Sequence, residues 1–188
     1  GEPEALVRAY AFRHVLEKVD FEPDGALILG CCRGFTSDSL PPGVDGAAYQ
    51  ELWDEHQVRG QRDFWSGFDH TLADMPTLLA IGLKGYRERV RQSLQKHAGM
   101  EEQIFLRAMD ITLEGASAMI RRVAMAARLS GDVRGAETCA AVIEEPPRSF
   151  HQAAQLVWLI HLAFKSEGRC HMALGRIDQY LLPFYQND

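Results

Sequence analysis

The amino-acid sequence predicts a mainly α-helical fold with one or two short strands. Three long segments carry apolar residues at three- and four-residue steps, which is the period of a helix with one buried face. Only two apolar runs are short enough to be single buried strands, and turn residues bound both of them. No internal repeat or low-complexity segment divides the 188 residues, so we expect one domain or one piece of a domain.

The N-terminal part begins with a helix predicted over residues 2–19. Its single apolar stripe is formed by Ala5, Ala9, Phe12, Leu16 and Val19. Residues 23–25 are the turn-forming sequence Pro-Asp-Gly, and the apolar run over residues 26–30 predicts a short buried strand or extended segment. Residues 31–46 have the glycine and proline content of a loop, and residues 47–56 are expected to form a short helix.

Three helices are predicted in the middle of the chain, over residues 75–97, 100–130 and 132–143. The lysines and arginines of the first lie largely off its apolar stripe, which is typical of a solvated face. The stripe of the second is formed by Phe105, Met109, Thr112, Ala116, Met119, Val123 and Ala127. Gly82 and Gly85 do not form a phosphate loop, because no strand precedes them and no Lys-Ser/Thr pair follows.

The C-terminal quarter predicts a helix, a strand and a further apolar segment. Ser149 stands three residues before Gln152, which is the spacing of a capping box at a helix start. Residues 150–164 are apolar on nearly every side, so we expect this helix to be buried inside something larger. Gly168 marks its end, and residues 171–175 are short enough to form one buried strand.

Composition and charge exclude several classes of partner. The net charge of -6 argues against non-specific nucleic-acid binding, which needs a basic face. The longest apolar run, residues 153–164, contains His161 and is shorter than the roughly 18 residues that span a bilayer. Residues 1–10 lack a signal-peptide pattern. We therefore expect a cytoplasmic protein that binds neither nucleic acid nor membrane.

Cysteines and histidines are not spaced as metal ligands or as a disulfide framework. Four cysteines are scattered along the chain, which favours a reducing compartment. His151, His161 and His171 lie ten residues apart, a rotation of about 280° on a helix, so His151 and His161 do not share a face. We expect no metal site and no bound cofactor in this chain. Cys139 lies on a predicted helix and is expected to serve packing.

Many residues of the C-terminal quarter match a family pattern at fixed spacing. They are Arg148, Ser149, Phe150, Ala153, Gln155, Gly175, Arg176, Asp178, Gln179, Tyr180, Pro183, Phe184, Tyr185 and Asp188. On these residues the chain resembles the glycyl radical enzymes of the pyruvate formate-lyase type. A weaker match reaches the Leu-Ile-x-Gly passage at residues 27–30.

The resemblance implies that residues 1–188 are one partial domain, the helical N-terminal region of a glycyl radical enzyme α/β barrel. Family members are anaerobic lyases, dehydratases or acyltransferases such as formate acetyltransferase, which begin by radical hydrogen abstraction. A separate radical S-adenosylmethionine activase generates their glycyl radical. The expected partners are the rest of the barrel, that activating enzyme and a second copy of the protein.

Neither the catalytic cysteine loop nor the glycyl radical motif of the family is present in this sequence. The resemblance therefore implies an N-terminal portion that is inactive alone, and whether the chain is itself an enzyme stays open. The alternative is a non-catalytic helical protein, derived from that family, that binds a partner or self-associates. An unrelated helical bundle is a third hypothesis.

His70 is the candidate substrate-binding residue. The passage from Asp69 to Gly85 resembles one in dehydratase-like members, where the residue at the histidine position faces the substrate. Asp69 stands where the family prefers glycine. An imidazole there can accept or donate a proton near neutral pH, which loss of water requires. The alternative is a capping or surface histidine beside Asp69 and Asp74.

Arg176 and Asp178 are candidate structural residues at the end of the predicted strand. In the family that the chain resembles, members with different substrates share this motif. The pair is therefore expected to hold the turn by hydrogen bonds. The alternative is a charged pair presented at the rim of a barrel.

Overall fold

The computed structural model describes residues 1–18, 21–22, 26–32, 47, 51, 71–166 and 172–187, and this part of the chain is mainly α-helical. The elements run in the order α1 (Glu4–Lys18), β1 (Phe21–Glu22), β2 (Cys31–Cys32), α2 (Met75–Lys96), α3 (Met100–Leu129), α4 (Val133–Glu144), α5 (Phe150–Ser166), α6 (Ile177–Tyr180) and α7 (Leu182–Asn187). The mainly α-helical prediction is confirmed. The helix predicted over residues 47–56 lies largely outside the described residues.

Side chains cap three of these helices at the start. The Asp74 carboxylate accepts the Thr77 amide of α2 at 3.1 Å, and Asp132 accepts the Gly135 amide of α4 at 2.8 Å. Before α5, Ser149 Oγ accepts the Gln152 amide at 3.2 Å, so the predicted capping pair is present. The Gln152 side chain reaches back one residue further than the usual box and accepts the amide of Arg148. Each cap satisfies an amide that the helix itself leaves unpaired.

The main core lies where α2, α3, α4 and α5 meet. Its fully buried side chains include Leu83, Met119, Ile120, Cys139, Val142, Leu156 and Leu159. Helix α1 packs along α3, and its inner end adds Leu16 to this core. A smaller cluster at the other end of the α1–α3 contact contains Leu6, Ala9 and Ala108. Burial of each such side chain stabilises the fold by about 1.5–3 kcal/mol.

The stripe predicted for α3 is wrong at its N-terminal end. Phe105 is 62% exposed, although Met119 and Val123 further along the same stripe are buried. A repeat of 3.5 residues drifts by about 20° per heptad around a straight helix, so the ends of a long stripe face different directions. Over its first turns α3 faces α1 with Ile104 and Ala108 instead.

Helix α5 is buried within this chain, and Phe150, at 37% exposure, is its only exposed residue. The prediction that this helix is buried is confirmed, and its enclosure in something larger stays a prediction. Exposed apolar side chains are found on the segments just before α2 and after α5, among other places: Leu72 is 58%, Ile177 43% and Leu182 47% exposed.

Neither predicted strand is a regular strand among the described residues, although the second prediction contains the bridge at Ala173. Residues 26–30 are irregular, because a side-chain amide from α5 pairs with their backbone where a strand would otherwise lie. The described strands β1 and β2 are two residues each and pair antiparallel, Phe21 opposite Cys32. Of residues 171–175, His171 lies outside the described residues, and only Ala173 forms a bridge, parallel to Leu72.

Candidate functional site

The candidate site is the place where two segments far apart in sequence meet side by side. Leu72, just before α2, and Ala173, just after α5, form a parallel β-bridge. Gly175 has a φ of +71°, and a Cβ added there would lie 3.7 Å from Leu72 Cδ2, so the turn packs closely on that leucine. This meeting brings the residues that follow His70 beside the residues that precede Arg176.

Arg176 and Asp178 form a bidentate ion pair within the turn. Arg176 Nε donates to Asp178 Oδ1 at 2.9 Å, and Nη2 donates to Oδ2 at 2.7 Å. These hydrogen bonds lower the pKa of Asp178 and raise that of Arg176. Both side chains are mostly exposed, so water screens the pair. The geometry fits a structural role, which stays a prediction.

A second bond closes the same turn from a less exposed position. Tyr180 Oη donates to the carbonyl of Leu174 at 2.8 Å. Burial raises the pKa of Tyr180, which keeps the phenol protonated as a donor. Besides its backbone hydrogen bonds, the turn after Ala173 is therefore held by a neutral side-chain hydrogen bond and an ion pair.

The carboxylate of Asp74 accepts two hydrogen bonds at the start of α2. Besides the Thr77 amide, its carboxylate accepts a 3.4 Å hydrogen bond from Tyr86 Oη. The hydrogen bonds from the side chain and backbone of Thr77 hold the pKa of Asp74 below its usual range. A carboxylate used in this way serves as a helix cap rather than as a proton acceptor.

His70, the predicted substrate-binding residue, lies outside the described residues. Its neighbour Thr71 is described and exposed, and the bridge residue Leu72 follows. The structure thus fixes where the chain after His70 runs, and the role of the imidazole stays a prediction.

Sequence reasoning missed a polar anchor inside α5. Gln155 is fully buried; its Oε1 accepts the Leu29 amide at 2.8 Å and its Nε2 donates to the Leu29 carbonyl at 2.7 Å. Trp158 Nε1 adds a 3.3 Å bond to the carbonyl of Gly30. The available signal was a glutamine in an otherwise apolar helix, because a buried amide requires partners.

His161 lies one turn beyond Trp158 and stacks on it, with ring centroids 5.6 Å apart. Its Nδ1 is buried and, in the described part of the chain, has no hydrogen-bond partner. Burial lowers the pKa of His161, and the nearby Lys165 lowers it further. Both effects favour the neutral form of the His161 imidazole.

Cys139 has the packing role that the sequence predicts. It is fully buried in the core, and burial raises the pKa of its thiol to about 12, so it is not a nucleophile. Within residues 71–166 and the other described segments, no three histidine, cysteine, aspartate or glutamate side chains are grouped so that they could hold a metal ion. None of the helices described is both long and apolar enough to cross a bilayer.

Comparison with solved structures places these helices in one class of fold. The glycerol-bound B12-independent glycerol dehydratase from Clostridium butyricum superimposes with a TM-score of 0.79 at 22% identity, over 100% of this chain and 33% of that chain. A glycyl radical enzyme from Archaeoglobus fulgidus gives 0.74 at 23% identity, over 100% and 33%. The chain has the fold of a helical part of the glycyl radical enzymes.

Comparison of the amino-acid sequence with known families assigns the family of this chain. Residues 46–188 match the family described as pyruvate formate lyase-like, and the chain belongs to that family. A probable dehydratase of Escherichia coli, YbiW, is 34% identical over 148 residues, which cover 70% of this chain and 18% of the relative. The chain therefore spans about a fifth of that relative and a third of the solved structures.

Proposed function

We propose that residues 1–188 are the N-terminal helical domain of a glycyl radical dehydratase, a lyase that removes water from a small hydroxylated substrate. The Leu72–Ala173 bridge is the observation that carries this proposal. Parallel strands are stable when both faces and both neighbours are covered, as in a barrel. A single parallel bridge flanked by exposed Leu72, Ile177 and Leu182 fits the first closure of a barrel that further residues complete.

The similarity to a probable dehydratase and to glycerol dehydratase supports removal of water rather than another lyase reaction. A hydroxyl leaves as water only when a proton reaches its oxygen. We assign His70 to substrate binding, where its imidazole would hold or deliver that proton. Arg176 and Asp178 would hold the turn beside it. The glycyl radical of the complete protein, installed by a radical S-adenosylmethionine activase, would supply the hydrogen abstraction.

This domain is expected to be inactive alone. The test is anaerobic incubation with an activase, S-adenosylmethionine and glycerol, followed by electron paramagnetic resonance and product analysis. The 188-residue chain should give no glycyl radical doublet and no aldehyde, whereas a full-length protein containing it should give both. Turnover by the 188 residues alone would contradict the proposal.

The assignment of His70 is tested by His70→Gln in the full-length protein. Loss of a positioned acid or base lowers kcat by about 100-fold or more. His97→Gln is the matched control, because His97 is exposed at the end of α2. Equal losses of stability and turnover in His70→Gln would mean that the residue is structural.

A second candidate function is a non-catalytic protein that self-associates, and the same exposed apolar side chains favour it. Open strand edges and uncovered leucines promote pairing between copies. Light scattering with size exclusion should then show a dimer that Leu72→Lys dissociates. Leu129→Lys is the control, because Leu129 is 83% exposed at the far end of α3. A monomer at all concentrations would exclude this alternative.

A further inference from the structure

Helix α2 is interrupted at Gly82. This residue has φ 66° and ψ 177° inside an otherwise helical segment. That region of backbone space is adopted by glycine and is strained for every L side chain. A Cβ at Gly82 would also lie 3.2 Å from the backbone nitrogen of Pro146. Because the neighbouring atoms are backbone, they cannot move aside as a flexible side chain would.

The interruption redirects the first turns of α2. Tyr86 Oη reaches Asp74 Oδ2 at 3.4 Å across the break. In a continuous helix residues 74 and 86 would be about 18 Å apart along the axis, further than these two side chains can span. The residues before Gly82 are therefore folded back toward the residues after it. Met75 and Leu79 before the break, and Leu83 after it, are all buried in the same core.

This redirection determines how the chain enters α2. Asp74 caps the redirected turn, and Leu72 lies two residues earlier on the bridge to Ala173. Pro146, which the break accommodates, stands between α4 and α5, and α5 leads to Ala173. The break thus follows the segment that carries Leu72 and contacts the chain that leads into α5.

We propose that Gly82 is a positioning residue, whose left-handed break holds residues 71–74 against Ala173. This inference rests on the proposed role of His70 in substrate binding. The competing explanation is that the break serves only to let Pro146 pack against α2.

The test compares Gly82→Ala with Gly131→Ala. Gly131 also has a positive φ, 87°, but no atom of the described residues lies within 4 Å of its added Cβ, and it joins α3 to α4. In the full-length enzyme, Gly82→Ala should lower kcat/KM by about 100-fold, the order expected of a small misplacement of reacting groups. Gly131→Ala should stay within about twofold of wild type, because its added Cβ displaces no neighbouring group among the described residues.

Hydrogen exchange gives a readout that does not depend on activity. In the 188-residue chain, Gly82→Ala should speed amide exchange in residues 71–75 and 172–175 selectively, whereas Gly131→Ala should leave these segments as in wild type. If both variants leave both segments equally protected, and their kcat/KM values agree within about twofold, the positioning role is overturned.

A second variant decides the question if Gly82→Ala does not fold. Tyr86→Phe removes the Oη bond to Asp74 and keeps the ring, and Tyr10→Phe is its exposed control. Tyr86→Phe should raise exchange in residues 71–75 and raise KM severalfold; no change relative to Tyr10→Phe would overturn the inference. Full activity of His70→Gln would instead refute the proposed function. An impaired His70→Gln beside normal Gly82→Ala and Tyr86→Phe would refute only the role of Gly82.

Discussion

The side chain of Gln155 binds both backbone groups of Leu29, 126 residues earlier in the chain. The amide of a buried glutamine thus takes the place of a neighbouring strand for an irregular segment. Leu29 is itself 2% exposed and packs in the main core, so the segment is fixed both by its backbone and by its side chain.

Replacing Gln155 by leucine should lower the free energy of unfolding by about 2–4 kcal/mol, because it leaves a buried amide and a buried carbonyl of Leu29 without partners. Urea denaturation measures the change. Gln92→Leu is the control, since Gln92 is exposed and makes only a 3.4 Å bond to Glu88; it should change stability by less than about 0.5 kcal/mol. Equal effects of the two variants would contradict the anchoring role.

Arg87 and Asp110 should couple α2 to α3. Arg87 Nε donates to Asp110 Oδ1 at 2.8 Å and Nη2 to Oδ2 at 3.3 Å, and both side chains are largely buried. A double-mutant cycle with Arg87→Gln and Asp110→Asn should give a coupling energy of about 1 kcal/mol. The exposed pair Arg8 and Glu4, 3.8 Å apart, should couple by less than about 0.3 kcal/mol.

The ion pair between Arg87 and Asp110 also predicts how stability depends on pH. The hydrogen bonds from Arg87 lower the pKa of Asp110 in the folded state. Its contribution to stability is therefore complete above the unfolded value of about 3.9 and is lost as the pH falls through the folded pKa. Asp110→Asn should make the decline in unfolding free energy below about pH 4 shallower than in wild type. If this decline is as steep in Asp110→Asn as in wild type, other carboxylates account for the loss of stability at low pH.

His161 should reduce stability at mildly acidic pH. Because burial lowers its pKa in the folded state, the unfolded chain takes up a proton first as the pH falls below about 6.5. His161→Phe keeps a ring against Trp158 but cannot titrate, so unfolding free energy should vary less between pH 5 and 7. Lys165→Met should keep most of the wild-type slope, since burial is the larger cause.

In the turn after Ala173, the tyrosine should contribute more than the ion pair. Tyr180→Phe removes a partly buried hydrogen bond and should cost about 1 kcal/mol. Arg176→Gln should cost less than about 1 kcal/mol, because the pair with Asp178 is exposed. Thermal unfolding at two salt concentrations separates them: only the Arg176 effect should shrink as salt rises. A loss above about 2 kcal/mol in Arg176→Gln would mean that the pair is the main support.

Helices with local signals could be predicted from the sequence. The capping residues Ser149 and Gln152 and the regular apolar stripes all act within a few residues of their helix. Their predicted limits agree with the structure to within two residues at most ends. The family pattern was also readable, because its residues stand at fixed spacing in one continuous stretch.

Features that depend on distant partners could not be predicted. The break at Gly82 follows from the close approach of Pro146, which no pattern around Gly82 indicates. Arg87 appears in a run of basic residues, yet it is held by Asp110 from another helix. The Leu72–Ala173 bridge joins residues a hundred positions apart, so alternation within either segment is too short to indicate it.

The pairing of early with late residues also bears on synthesis. Arg13 of α1 donates a hydrogen bond to Glu114 of α3, and the backbone of Leu29 is hydrogen-bonded only after Gln155 has been made. At a translation rate of about 5–20 residues per second, residues 26–30 are outside the ribosome for roughly 6–25 s before Gln155 emerges. Until α3 follows, α1 carries an uncovered apolar face on the nascent polypeptide. Chaperone occupancy should accordingly be highest on ribosomes stalled before residue 155 and fall once α5 has emerged.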